Sequence, residues 1–156
     1  MSARSPARWA DVHEGDVLPE VTIPVTLRLC VLDAAATRDF FPGHHDRDYA
    51  RSQNVRDVYL NTMFFHGFVD RVGGDWAGPD AWLLRRQLWM MAPICVGETI
   101  RTEGRVLRRF EKAGRRVVEV EVRVLAERGL GARAVLTYLF PGPDGCPVLP
   151  DATNEE

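Results

Sequence analysis

The 156-residue sequence predicts an α+β domain in which an antiparallel sheet wraps a long central helix. Three observations predict it. Val118, Val120, Val122 and Val124 alternate with Glu119, Glu121 and Arg123, a period of two that puts apolar side chains on one face of a strand and charges on the other. Glycine-marked turns flank that strand and join it to further strand-like runs, the pattern of consecutive antiparallel pairing. Upstream, Leu60, Met63, Phe64, Phe68, Val72 and Trp76 recur at the three-to-four spacing of a helix.

Taken in order, Val21–Leu29 reads as a first strand and Val31–Arg38 and Asp46–Gln53 as short helices. Tyr59 to Val72 reads as the long helix, and Phe65, Gly67 and Val69 make it apolar nearly all round. A helix of that kind is stable only when buried. Trp82–Met91 is strand-like and ends before Pro93, Thr99–Phe110 follows, and Ala113-Gly114 supplies a hairpin turn. Gly129 and Gly131 bracket the next turn, and Ala132–Phe140 is the last strand. Four antiparallel strands after one buried helix is the hotdog arrangement, a way to bury an all-apolar helix in a sheet. Residues 1–15 form a polar lead-in, 16–141 the hotdog domain, and 142–156 a Pro/Gly-rich acidic tail.

Composition bounds the partners. Apolar residues are 46% and charged residues 27%, enough for a core without disulfides. The net charge of −2 argues against nucleic acid as the main partner, since phosphate binding calls for a strongly basic surface. No apolar run approaches the roughly 20 residues of a membrane span, and the first residues lack the apolar core of a secretory signal. Cys30, Cys95 and Cys146 are an odd number without CxxC spacing, so they read as reduced thiols in a cytoplasmic protein.

The densest run of titratable groups outside a regular element is Asp39-Phe40-Phe41-Pro42-Gly43-His44-His45-Asp46. It lies on a loop between two short helices, a common seat for catalytic groups. The Pro42-Gly43 turn folds His44 back toward Asp39, so the two share one water, an arrangement suited to acid/base chemistry near neutral pH. Three other readings compete. The loop is a solvated surface segment with incidental histidines; or His44, His45 and Asp46 hold a metal, although adjacent histidines diverge; or a Ser/His or Cys/His nucleophile operates, although no GxSxG is present and Cys30 and Cys95 sit among apolar residues.

That run, continuing to Tyr49-Ala50, resembles the signature of the MaoC-like enoyl-CoA hydratases, which runs Asp, any, Asn, Pro, any, His, any, Asp with an aromatic residue and Ala soon after. Asp39, Pro42, His44, Asp46, Tyr49 and Ala50 match in register. Asp75-Trp76-Ala77-Gly78-Pro79 is similar to the end of that family's central helix, and Ala92-Pro93 with Val96-Gly97-Glu98-Thr99 to its strand-connecting turn. The resemblance spans residues 15 to 140 and implies a hotdog fold. It also implies that Asp39 and His44 hold a water that adds across a trans-2-enoyl thioester to give the (R)-3-hydroxyacyl product. Asp39 would take the proton from water and His44 would orient the water and protonate C2. No metal or redox cofactor is implied; coenzyme A arrives as part of the substrate.

Two departures shape the expectation. Phe41 replaces the family's Asn, and Asn61-Thr62 stands where the family has His-Gly, whose Gly N–H polarises the thioester carbonyl. Free N–H groups at a helix start serve whatever the side chain, so Asn61, Thr62 and Met63 are the expected oxyanion donors. These departures are most similar to the small MaoC-like subunit of actinobacterial steroid side-chain hydratases, which works in a heteromer on a bulky acyl-CoA. Phe40, Phe41 and Phe64 are the candidate acyl pocket, with core packing the competing reading for Phe64. His66 reads as a buried histidine bonded to backbone, and Arg85 and Arg86 as either coenzyme A phosphate contacts or a solvated strand face. The expected assembly is a homodimer or a heteromer with a second hotdog chain, because one wrapped sheet leaves its edge and the loop uncovered. Two other functions fit a hotdog domain: an acyl-CoA thioesterase, and a non-catalytic acyl-CoA-binding subunit.

Overall fold

The valine alternation forms the middle of the sheet. Strand β5 (Arg115–Ala126) is flanked by β4 (Thr99–Lys112) and β6 (Gly129–Phe140), all antiparallel. The computed structural model describes residues 6–143 and 145–147; the rest of the predicted tail lies outside the described residues. Ala113 and Gly114 both have positive φ, 49° and 74°, as a primed hairpin turn requires, so β4 and β5 join without splaying. Strand β3 (Trp82–Met90) pairs with β6 at one edge, while β1 (Val17–Leu18) and β2 (Thr22–Pro24) pair with successive stretches of β4 at the other. The order is β1-β4-β5-β6-β3, the antiparallel sheet of a hotdog domain.

The apolar face of this sheet closes on helix α3 (Thr62–Ala77). Phe65, Phe68, Val69 and Val72 share one buried cluster with Val118, Val120, Val122 and Val124. Removing each such side chain from water contributes about 1.5–3 kcal/mol. The approach is close. A Cβ on Gly73 would lie 2.5 Å from Tyr138 Oη and 2.6 Å from Leu136 Cδ1, so only glycine lets the helix press this near to β6.

Composition predicts a helix buried nearly all round, and the structure corrects this by leaving one side open. Met63, Gly67 and Arg71 form an exposed stripe, which lines an open groove of about 620 Å³ against helix α1 (Leu27–Thr37). The helix also starts later and runs further than its apolar spacing implies. Tyr59 is extended and bridges Cys95, while Leu60 N–H donates to the Ile94 carbonyl and Val96 N–H to that of Val58. Backbone pairing thus claims Tyr59 and Leu60, and Asn61 caps the helix at Thr62. The predicted first strand stops at Pro24 for a similar reason. The Thr26 hydroxyl accepts the Leu29 N–H at 3.0 Å and starts α1 four residues before the predicted helix. The last strand begins at Gly129, three residues early, because the turn is made by Glu127 and Arg128.

Candidate active site

The loop after α1 is set by that helix's end. Arg38 adopts the left-handed conformation, φ 57°, and the N–H groups of Arg38 and Asp39 return to the carbonyls of Ala35 and Ala34. This is a Schellman-type stop on a non-glycine residue, which fixes the direction in which Asp39 leaves the helix. A tight helical turn at Pro42–His44 follows, and Asp46 then caps helix α2 (Arg47–Ser52), its Oδ1 accepting from the N–H groups of Asp48 and Tyr49 at 2.9 and 3.1 Å.

This path brings together the two predicted catalytic residues. His44 Nε2 lies 3.4 Å from Asp39 Oδ2. His44 is 7% exposed, whereas the Asp39 side chain is 36% exposed, so the pair has a closed side and an open one. Nδ1 of His44 donates to the Tyr59 carbonyl at 2.8 Å. That bond settles the tautomer: Nδ1 keeps its proton, and Nε2, facing Asp39, is the nitrogen that exchanges one. Tyr59 also packs its ring edge-on to the imidazole, centroids 4.9 Å apart, and the Phe41 ring lies against it at 5.5 Å. Tyr49 supports Phe41 edge-on at 5.4 Å. Phe41 therefore replaces a polar side chain with a hydrophobic wall against the imidazole.

The three residues of the metal reading are engaged separately. His44 faces Asp39, His45 Nε2 donates to the Phe40 carbonyl at 3.2 Å, and Asp46 is committed to capping α2. A thiol nucleophile also fits poorly. Burial pushes the Cys30 thiol up to about 12 and raises that of Cys95 as well, so both stay protonated.

The predicted oxyanion residues divide into two kinds. Asn61 is a cap. It is 1% exposed, its Oδ1 accepts the Phe64 N–H at 2.8 Å, its Nδ2 donates to Thr37 Oγ1 at 2.7 Å, and its own N–H points to Asp33 Oδ2 at 3.4 Å. The N–H groups of Thr62 and Met63 belong to the first helical turn, which has no intrahelical acceptors, and both residues are exposed. The three predicted acyl-pocket residues do not share one cavity. Phe64 lies in the groove between α1 and α3, stacked on Phe68, while Phe40 and Phe41 are exposed on the loop. His66 faces the Asp70–Arg86 pair at the β3 edge of α3, where burial and the Arg86 charge lower its pKa, and its Nδ1 has no partner among the described residues. Arg86 is thereby committed to Asp70, and Arg85 is exposed.

Sequence reasoning missed Asp33 and Thr37. Both sit on α1, one helical turn apart, and the Thr37 hydroxyl donates to the Asp33 carbonyl at 2.7 Å. Asp33 is 9% exposed. Burial raises its carboxyl pKa; the Asn61 N–H and His44 oppose that rise, and Asp39 adds to it. The signal that points to them is Asn61 itself, an N-cap amide whose NH₂ needs an acceptor once its oxygen is used.

A helix cradled by this sheet, with an aspartate–histidine pair hydrogen-bonded to the segment that leads into the helix, defines a hotdog protein of the hydratase type. The comparisons agree. The 3-oxo-4,17-pregnadiene-20-carboxyl-CoA hydratase beta subunit of Mycobacterium tuberculosis is 38% identical over 92 residues, 59% of this chain and 71% of that protein. A chain of the ChsH1-ChsH2 complex from Mycobacterium tuberculosis superimposes with a TM-score of 0.76 and 31% identity, covering 82% of this chain and 98% of that one. R-hydratase PhaJ1 from Pseudomonas aeruginosa shares the fold alone, with a TM-score of 0.75 at 21% identity over 94% of this chain and 96% of that one. No protein-family model matches the chain. With the Mycobacterium tuberculosis beta subunit 38% identical and covered over more than two thirds of its length, the chain belongs to the MaoC-like hydratases.

Proposed function

We propose that this protein reversibly hydrates a trans-2-enoyl-CoA to the (R)-3-hydroxyacyl-CoA, with Asp39 and His44 as the acid/base pair. The observation that carries the proposal is their geometry: Nε2 of His44 opposite Oδ2 of Asp39 at 3.4 Å, with Nδ1 tied to the Tyr59 carbonyl. A water oxygen at a hydrogen-bonding distance of about 2.8 Å from both atoms fits at the apex of that triangle. Asp39 takes one proton of this water as its oxygen bonds to C3 of the substrate. The C2=C3 electrons move toward the thioester carbonyl, and the N–H groups of Thr62 and Met63 receive the developing enolate oxygen. The imidazolium Nε2–H of His44 then protonates C2. Asp39 returns its proton to Nε2 directly across the pair. Oxidation state does not change at any step, so positioned acid/base groups suffice and no redox or metal group is invoked.

The substrate is a bulky acyl-CoA, and its acyl group is a steroid side chain. The relative's name specifies a pregnadiene carboxyl-CoA. Phe40 and Phe41 add apolar surface on the loop that carries the pair, and Met63 and Phe64 line a separate groove between α1 and α3; burying such surface contributes about 25 cal/mol per Å². The working unit is a hotdog oligomer, most simply a heteromer with a second hotdog chain, as in the complex whose chain this one resembles. Its open flank is β3, an edge strand that exposes Trp82, Leu84, Trp89 and Met90. Among the described residues no helix is long and apolar enough to cross a membrane; we assign the protein to the cytoplasm.

Asp39→Asn and His44→Ala test the roles. Each is expected to lower enoyl-CoA hydration by about 100- to 10,000-fold, the usual contribution of a positioned acid or base, with far-ultraviolet circular dichroism unchanged. Activity within a few-fold of wild type in a folded variant removes that residue from the mechanism.

A further inference from the structure

The site has two halves on different elements, and catalysis requires them in register. Asp39 hangs from the end of α1, while the Thr62 and Met63 N–H groups belong to the start of α3. His44 is already referenced to α3 through the carbonyl of Tyr59, two residues before the cap. Among the described residues Asp39 makes no such bond to α3; its side chain meets His44 and, at 3.4 Å, the N–H of Phe41.

A closed ring of hydrogen bonds supplies the missing reference. The Thr37 hydroxyl donates to the Asp33 carbonyl at 2.7 Å, Asn61 Nδ2 donates to Thr37 Oγ1 at 2.7 Å, and the Asn61 N–H points back to Asp33 Oδ2 at 3.4 Å. The ring crosses from α1 to α3 twice. Its α1 end is two residues from Asp39, and its α3 end is one residue from the first free N–H. Both anchoring side chains, Asp33 and Asn61, are buried. Buried polar groups of this kind are costly unless every member is satisfied, and once satisfied they hold a single arrangement.

We propose that Asp33 and Thr37 are positioning residues that set the distance between the Asp39–His44 pair and the oxyanion donors of α3. The inference rests on the hydratase reading above. Both act through Asn61, and the proposed role needs no contact with the substrate. Asp33 works through its acceptor oxygen, Thr37 through a hydroxyl that receives from Asn61 and donates to Asp33. Loss of either tie lets α1 and α3 slide relative to each other. Because the enolate oxygen exists only in the transition state, the penalty falls on kcat and leaves KM nearly unmoved. A misplacement near 1 Å costs up to about 100-fold.

The test measures kcat, KM and melting temperature for the full chain, with its second hotdog subunit where that is needed for activity. The variants are Thr37→Val, Thr37→Ser, Asp33→Leu and Asp33→Asn, with Asp39→Asn as the reference. The expected result is a drop in kcat of about 10- to 100-fold for Thr37→Val and Asp33→Leu, with KM within threefold. The conservative variants, which keep the hydroxyl or the acceptor oxygen, recover most of that loss. If Asp33→Leu does not fold, the Thr37 pair decides alone. A lowered melting temperature with unchanged kcat, or a rise confined to KM, overturns the positioning role while leaving the hydratase reading intact. An inactive wild type, or full activity in Asp39→Asn, overturns the hydratase reading and this inference with it.

Discussion

Gly43 lies at the closest approach in the site, and adding one methyl group there tests how the imidazole is held. A Cβ at this position would sit 2.7 Å from Tyr59 Oη, 2.8 Å from Phe41 Cε1 and 2.9 Å from Tyr59 Cε1. Ordinary carbon contacts need about 3.5–4.0 Å, so in Gly43→Ala both rings must retreat by about 0.6–1.3 Å. These are the rings that flank His44, and the chain that carries Tyr59 also supplies the carbonyl that holds Nδ1. Phe41 is exposed and yields easily; Tyr59 donates its N–H to the Gly43 carbonyl and is held on both sides by the Leu60–Ile94 and Val96–Val58 backbone bonds, so it yields less. Overpacking of this kind costs about 1–3 kcal/mol. For a domain of this size that lowers Tm by about 2–12 °C. A shift approaching 1 Å at the pair lowers turnover by up to about 100-fold. Thermal unfolding and initial-rate hydration of an enoyl-CoA measure the two effects. A Gly43→Ala protein with unchanged Tm and turnover within twofold of wild type refutes the idea that these rings fix the imidazole.

Other perturbations follow from the same geometry. Glu121 is buried on β5 between Arg133 Nε at 2.6 Å and Arg105 Nη2 at 3.1 Å. Burial alone would raise its carboxyl pKa, but the two guanidinium groups outweigh it and hold the pKa below the ordinary value. A carboxyl depressed in the folded state stabilises the fold above its unfolded pKa and loses that contribution as pH falls through the folded pKa. Glu121→Gln should therefore lower Tm at neutral pH, with the difference from wild type shrinking below about pH 4; a difference independent of pH contradicts the assignment. Substrate size is read by kcat/KM, which should be higher for a polycyclic enoyl-CoA than for crotonyl-CoA; equal or better use of crotonyl-CoA removes the steroid assignment and leaves hydration standing. Light scattering should give an active species heavier than the 17.6 kDa chain, and a fully active monomer contradicts the oligomer.

The parts of the fold legible in the sequence are those where one residue pattern serves one local purpose. Val118 to Val124 alternate because β5 is covered on one face only, and Ala113-Gly114 marks a turn that needs positive φ. The start of α3 was not legible, because Tyr59 and Leu60 continue the helical spacing while their backbones pair with residues 94–96, a partner that no local window contains. The exposed stripe of α3 escaped for the same reason: Met63 is apolar but faces a groove against α1. In the site, Asp39 and His44 were legible from spacing across Pro42-Gly43 and from family resemblance. The tautomer of His44 was not, since it depends on a carbonyl fifteen residues away. Asn61 signalled only that some acceptor was needed; a carboxylate within a helix ordinarily faces water, and only the fold shows that Asp33 is buried against Asn61.

The central claim is that the Asp39–His44 pair adds water across a double bond and does not cleave the thioester. Purified protein, alone and with a second hotdog subunit, is mixed with a steroid-side-chain enoyl-CoA. The conjugated enoyl absorbance and free thiol are then followed in the same cuvette. Hydration predicts that the absorbance falls to an equilibrium value with no thiol released, and that Asp39→Asn abolishes the change. Stoichiometric release of free coenzyme A, or absorbance loss that persists undiminished in Asp39→Asn, contradicts the account.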